Sequence, residues 1–192
     1  MFSVHVYRFA DIGLQKNDYF CTKFKNMELH EAIAIEQETL SDYEIERGKP
    51  MPSRNHSLVQ TQIGFLLKRD FGKEFSFLSE AEINFLPKNA VPDICIYPKM
   101  QVNFEEEDVI RMPAPPITAI EILSPKQALE DVVAKARDIY FPNGVKSVWV
   151  VMISLKTVAI IAPNTEPKYF PSGELLDPAT NIRLTVNEIF QA

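Results

Sequence analysis

The sequence predicts an α/β domain, and two observations carry that expectation. Apolar strand-like runs at residues 91–97, 117–123, 145–153 and 157–162 are interleaved with amphipathic helical patterns over about residues 54–70 and 125–140. Two of the runs each hold one carboxylate, Asp93 and Glu121, where an apolar strand would not choose one. A charge buried in such a run is costly unless it is paired or bound to a metal.

Length and composition bound the answer. The 192 residues suit one domain, or one domain with an extended arm. A hydrophobic fraction of 46% and a charged fraction of 24% are ordinary for a globular chain. No run approaches the roughly 18 apolar residues of a membrane span. The start, Met1-Phe2-Ser3-Val4-His5, lacks a basic region followed by an apolar stretch, so no signal peptide is expected. Cys21 and Cys95 have no metal-ligand spacing and form no disulfide framework, so the expected compartment is a reducing cytoplasm. The net charge of −6 argues against coating nucleic acid by bulk attraction, though not against an enzyme that meets DNA in one locally basic groove.

The elements follow in order. Residues 2–9 suggest a short strand, 28–40 an amphipathic helix, and 43–46 a strand entering the turn Arg47-Gly48-Lys49-Pro50. Ser53 or Asn55 is placed to cap a helix over 54–70 whose apolar stripe is Val59, Ile63, Leu66 and Leu67. His56 and Gln60 project near that stripe, and Gly72 is a stop. Residues 75–85 alternate as a strand, Pro87-Lys88-Asn89-Ala90 makes a turn, and 91–97 completes a hairpin. The run Glu105-Glu106-Glu107-Asp108 reads as a solvated loop rather than a metal cluster. Pro113-Ala114-Pro115-Pro116 leads stiffly into the strand 117–123. Ser124, Pro125 and Gln127 spell a capping box with proline at the first helical position. A helix is therefore expected to begin at or next to Pro125, bury Leu129, Val132, Val133 and Ala136, and end near Tyr140. Strands 145–153 and 157–162 follow, then a short strand near Tyr169 and a helix near 186–190.

Strand alternation groups Asp93 with Cys95 and Tyr97, and Glu121 with Ala119. If the two strands are neighbours, about 5 Å apart, the two carboxylates are placed to share one divalent ion. Magnesium prefers one or two carboxylates completed by waters and phosphate oxygens. Glu121 lies roughly 10 Å down its strand from the following turn. Lys135 lies about 15 Å along a helix packing back over the sheet, and its N-terminal lean returns the ammonium to the depth of Glu121. Lys126, in the first turn, would point past the sheet edge. Simpler readings stand beside this one: Lys135 with Asp131 as a surface i,i+4 pair, Asp93 as the end of a turn, His56 as a core histidine. Glu121 is hardest to explain away, because apolar residues bracket it.

The helix beginning near His56, Pro92-Asp93, Glu121-Ile122-Leu123-Ser124-Pro125, Lys135, Tyr140, Gly144-Val145 and the strand around Trp149 together resemble the PD-(D/E)XK nuclease superfamily. Within it they resemble the Uma-two family of restriction endonuclease domains, over about residues 43–162. The resemblance implies a restriction-endonuclease-like α/β fold, a central mixed sheet flanked by helices, in residues 43–192. It leaves residues 1–42 as an N-terminal arm available for pairing subunits as a homodimer. It implies hydrolysis of DNA phosphodiester bonds with Mg²⁺ or Mn²⁺ held by Asp93 and Glu121, and with Lys135 stabilising developing charge or orienting the attacking water. Much of the superfamily has a lysine two residues after the acid, where this chain has Leu123; the Uma-two branch carries it on the following helix. Glu80 or Glu82 is implied as an outer acidic ligand, the pattern not deciding which, with His56 and Gln60 as further pocket residues. Met152 and Ile153 stand where an aspartate often follows the tryptophan strand, and Lys126-Gln127 stand where small hydroxyl residues are usual. The alternative expectation is a nuclease fold used as a binding or assembly module with little catalysis.

Overall fold

The computed structural model describes residues 52–124 and 127–191. The expectations for residues 1–51, and for Pro125 and Lys126, lie outside the described residues. Helix α1 (Arg54–Phe71) opens as its sequence suggests. Ser53 has extended backbone, and its Oγ accepts the His56 N–H at 3.3 Å. Val59, Ile63, Leu66 and Leu67 are all buried, each worth about 1.5–3 kcal/mol relative to exposure. Gly72 is the C-cap, its N–H bonding the Lys68 carbonyl at 3.2 Å, and a Cβ there would press on that same oxygen, so a residue without one suits the position.

Seven strands lead to the middle of the domain and past it: β1 (Phe75–Ser79), β2 (Glu82–Ile83), β3 (Ile94–Pro98), β4 (Arg111–Met112), β5 (Thr118–Ile122), β6 (Ser147–Met152) and β7 (Thr157–Ile161). With β8 (Lys168–Phe170), six of them form one mixed sheet in the order β1-β3-β5-β6-β7-β8. The β5–β6 step is parallel and the other pairings in that sheet are antiparallel. A parallel step needs a crossover. Helix α2 (Leu129–Lys135) and the π-helical turn Ala136–Tyr140 supply it. Central β6 is buried at all six positions, which is why every residue in it after Ser147 is apolar.

Alternation divides the core between the two faces of the sheet. Ile94, Ile96, Ile120, Ile122, Trp149 and Val151 pack with α1 and with the C-terminal Leu175, Ile182, Leu184, Val186 and Ile189. Cys95, Tyr97, Ala119, Val148 and Val150 pack with Val132, Ala136 and Tyr140 from the crossover. The C-terminal part adds a hairpin, β9 (Glu174–Leu176) with β10 (Arg183–Thr185), and the short helix α3 (Val186–Ile189). The hairpin was not anticipated. Its turn is organised by buried Asp177, whose carboxylate accepts Thr118 and Thr180 hydroxyls, each at 2.7 Å.

Three expectations are corrected. The strand expected over 75–85 divides at Glu80, which has a left-handed φ of 53°, and β2 leaves the large sheet to pair in parallel with β4. The strand expected from residue 91 begins at Ile94, so Asp93 precedes it on a bend. The helix expected at Pro125 begins at Leu129, after Ala128, with no side-chain cap. Gln127 N–H instead bonds the Ser124 carbonyl at 3.0 Å in a turn. The reason is packing. Gln127 and Ala128 are exposed, and the first stripe residue is Leu129; a capping signal alone does not offset the entropy of nucleating a turn that buries nothing. Among the described residues no helix is long and apolar enough to cross a membrane.

Candidate active site

Glu121 occupies the central strand β5 on the face that packs against α2, only 6% exposed. Its Oε1 accepts the Lys135 ammonium at 2.8 Å and also the Tyr140 hydroxyl. No hydrogen bond to Oε2 is made among the described residues. Burial pushes the Glu121 carboxyl above the usual range, and the Asp93 charge pushes the same way, while Lys135 and Tyr140 oppose them. Burial, followed by the Glu121 charge, likewise raises the Tyr140 phenol well above its ordinary value.

Lys135 is the least buried member, its side chain 28% exposed. Its ammonium lies 5.2 Å from the centre of the Tyr140 ring, within range of a cation–π contact. The sequence expectation that Lys135 reaches the depth of Glu121 is met in the geometry. Asp131 is exposed and makes no ion pair with Lys135 among the described residues.

Asp93 is a hub between layers. Because it sits on the bend before β3, its carboxylate does not follow the alternation of Cys95 and Tyr97. Its Oδ2 accepts the Ile122 N–H at 2.7 Å, where the β3–β5 ladder has run out of backbone partners. His56 Nε2 stands 3.2 Å from Oδ1, and Gln60 Nε2 donates to the Asp93 carbonyl at 3.0 Å. Both polar residues singled out on α1 therefore meet Asp93. Among the described residues the buried His56 Nδ1 has no hydrogen-bond partner.

The two glutamates left open by the sequence part company. Glu80 N–H donates to the Asp93 carbonyl at 3.1 Å. Glu82 is committed to Arg111 and Asn89, each at 2.8 Å, and Arg111 holds its carboxyl below the usual range. Among the described residues no group of three or more His, Cys, Asp or Glu side chains is gathered for a metal. Cys95, deep in the same layer, has its thiol pushed up to about 12 by burial and then by the Glu121 charge.

Sequence reasoning named Tyr140 only as a helix end and as one of the residues that carry the family resemblance, and gave it no role beside Glu121. The signal was present: a buried tyrosine must find a partner for its hydroxyl, and Glu121 was the unexplained buried acceptor. The donor chemistry suits a hard divalent cation. Glu121 Oε2, without a hydrogen bond among the described residues, and the Asp93 carboxylate would offer oxygen donors to it, and magnesium needs only one or two from the protein.

A mixed six-stranded sheet between helical layers, with an acid and a helix-borne lysine meeting on its central parallel step, defines a restriction-endonuclease-like α/β protein. The family described as "Uma2: Putative restriction endonuclease" matches residues 23–187, and the chain belongs to that family. The fold is similar to the crystal structure of "a putative nuclease belonging to DUF820 from Anabaena variabilis ATCC 29413". That match has a TM-score of 0.63 and 23% identity, and covers 74% of this chain and 83% of the other. No curated protein matches the chain.

Proposed function

We propose that the protein hydrolyses phosphodiester bonds of DNA, with Asp93 and Glu121 as ligands for Mg²⁺ or Mn²⁺ and Lys135 as the electrostatic catalyst. The observation that carries the reading is the buried Glu121 carboxylate: one oxygen shared by Lys135 and Tyr140, the other without a hydrogen bond among the described residues, and the Asp93 charge acting on the same carboxyl, in a chain of the Uma2 family. Bound there, the cation would supply Lewis acidity and lower the pKa of a water. The chain's own residues do the rest. An ammonium has three donors, and Lys135 spends one on Glu121, leaving donors for a phosphate oxygen where charge develops. Glu121 orients Lys135, and His56 with Gln60 fixes Asp93 from the side of α1.

A second reading, a nuclease fold acting as a binding or assembly module, is favoured by one observation. Both carboxylate oxygens of Asp93 already hold protein partners, His56 and Ile122. Cleavage of plasmid and branched DNA with Mg²⁺ or Mn²⁺ separates the two. The wild type should cleave, Glu121→Ala should not, and Lys135→Ala should lose ~10²–10³ in rate. A wild type that neither cleaves nor binds Mn²⁺ calorimetrically favours the module; cleavage by Glu121→Ala at the wild-type rate refutes the site.

A further inference from the structure

We infer that Tyr140 is a positioning residue of this site, its hydroxyl fixing Glu121 Oε1 so that Lys135 is held in place and Oε2 is left for a ligand. The inference rests on the nuclease reading above and adds to it a residue and a device. The device is the π-helical turn. Positions five apart on an α-helix are about 140° apart around the axis, at roughly 100° per residue, and so face different surroundings. An i→i+5 turn brings such positions almost into line. Here the turn spans Ala136–Tyr140, and Phe141 N–H bonds the Ala136 carbonyl at 2.9 Å. Lys135 and Tyr140, five apart, thereby reach the same oxygen of Glu121.

Packing does not ask for this hydroxyl. The Tyr140 ring is fully buried and lies edge-on to Phe85 at 6.1 Å between centroids, a contact phenylalanine would make equally well. What phenylalanine could not do is hold the carboxylate. Without the phenol, Glu121 would be tied only to the long flexible stem of Lys135, and neither the ammonium nor Oε2 would keep one orientation. Tyr140 acts as a fixed donor and transfers no proton.

The test compares Tyr140→Phe with Tyr97→Phe. Tyr97 is the matched control: it is buried in the same layer, and its hydroxyl donates to the Ala114 carbonyl at 2.9 Å. Mn²⁺ affinity by calorimetry, kcat and KM for plasmid cleavage, thermal midpoint and the crystal structure are measured for each. Removing a group that orients a ligand commonly costs about 10–100-fold in metal affinity or activity. Tyr140→Phe should show that loss in Mn²⁺ affinity and kcat with KM unchanged, and its crystal structure should show the Lys135–Glu121 contact displaced. Tyr97→Phe should lose thermal stability only. Tyr140→Phe that binds Mn²⁺ and cleaves like an active wild type overturns the positioning role alone, as does an undisturbed Lys135–Glu121 contact. A wild type that neither binds Mn²⁺ nor cleaves overturns the nuclease reading, and the positioning role with it.

Discussion

Replacing Lys135 by methionine keeps much of the aliphatic stem and removes the charge that faces a buried carboxylate. Exposed ion pairs contribute about 0.2–1 kcal/mol. Removing one partner of a fully buried pair costs about 3–5 kcal/mol. The Lys135 and Glu121 side chains are 28% and 9% exposed, so this pair falls between, and the loss at pH 8 should be about 1–3 kcal/mol. For a chain of this size each kcal/mol moves the thermal midpoint by about 2–4 °C. The pH dependence has a definite sign. Glu121 is already raised above its unfolded value of about 4.3, and taking away Lys135 removes an opposing influence and raises it further. A raised folded value means stability that is full below the unfolded value and is lost as pH rises through the folded one. The deficit of Lys135→Met should therefore be small near pH 4.5 and grow toward pH 8. Urea denaturation followed by far-UV circular dichroism at pH 5 and pH 8 measures it. A deficit equal at both pH values, or at pH 8 no larger than the roughly 0.3–0.5 kcal/mol of an exposed helix pair, would refute the reasoning.

Two further predictions follow from the same structure. Ser124→Ala should change stability by less than about 0.5 kcal/mol in urea denaturation, because Ser124 caps no helix; a loss near 1 kcal/mol would show the expected capping box to form after all. In a Cys21→Ser background, Cys95 should resist a thiol reagent at pH 8 in the native protein and react fully in denaturant, since it is buried and its thiol is raised to about 12. Rapid native labelling would mean that this layer opens readily.

What was legible in the sequence is what short-range patterns dictate. The α1 stripe, the Ser53 cap, the alternation through Ala119 and Glu121, and the continuous apolar run of β6 are set by residues within a few positions of each other. So is the anomaly of Glu121: a charge between apolar neighbours needs a partner wherever the chain goes, and that need marked the site before any fold was known. Lys135 was anticipated beside Glu121 from the rise and side-chain lean of a helix expected to start at Pro125; the helix starts at Leu129, and the contact forms all the same. The remainder depends on contacts between distant segments. Asp93 was expected on a strand face, yet it lies at the end of a ladder, met by His56 from α1 and by the backbone of Ile122. The start of α2 was decided by where its apolar face first meets the sheet, which outweighed a good capping signal. Glu82 finds its partner in Arg111, 29 residues away. Tyr140 joined the site through a π-helical turn that moved it by a good part of a turn relative to α-helical spacing, and no local pattern in the chain announced that turn. Sequence supplied the groups that had to find partners; tertiary structure chose the partners, because only packing brings distant polar atoms within hydrogen-bond reach.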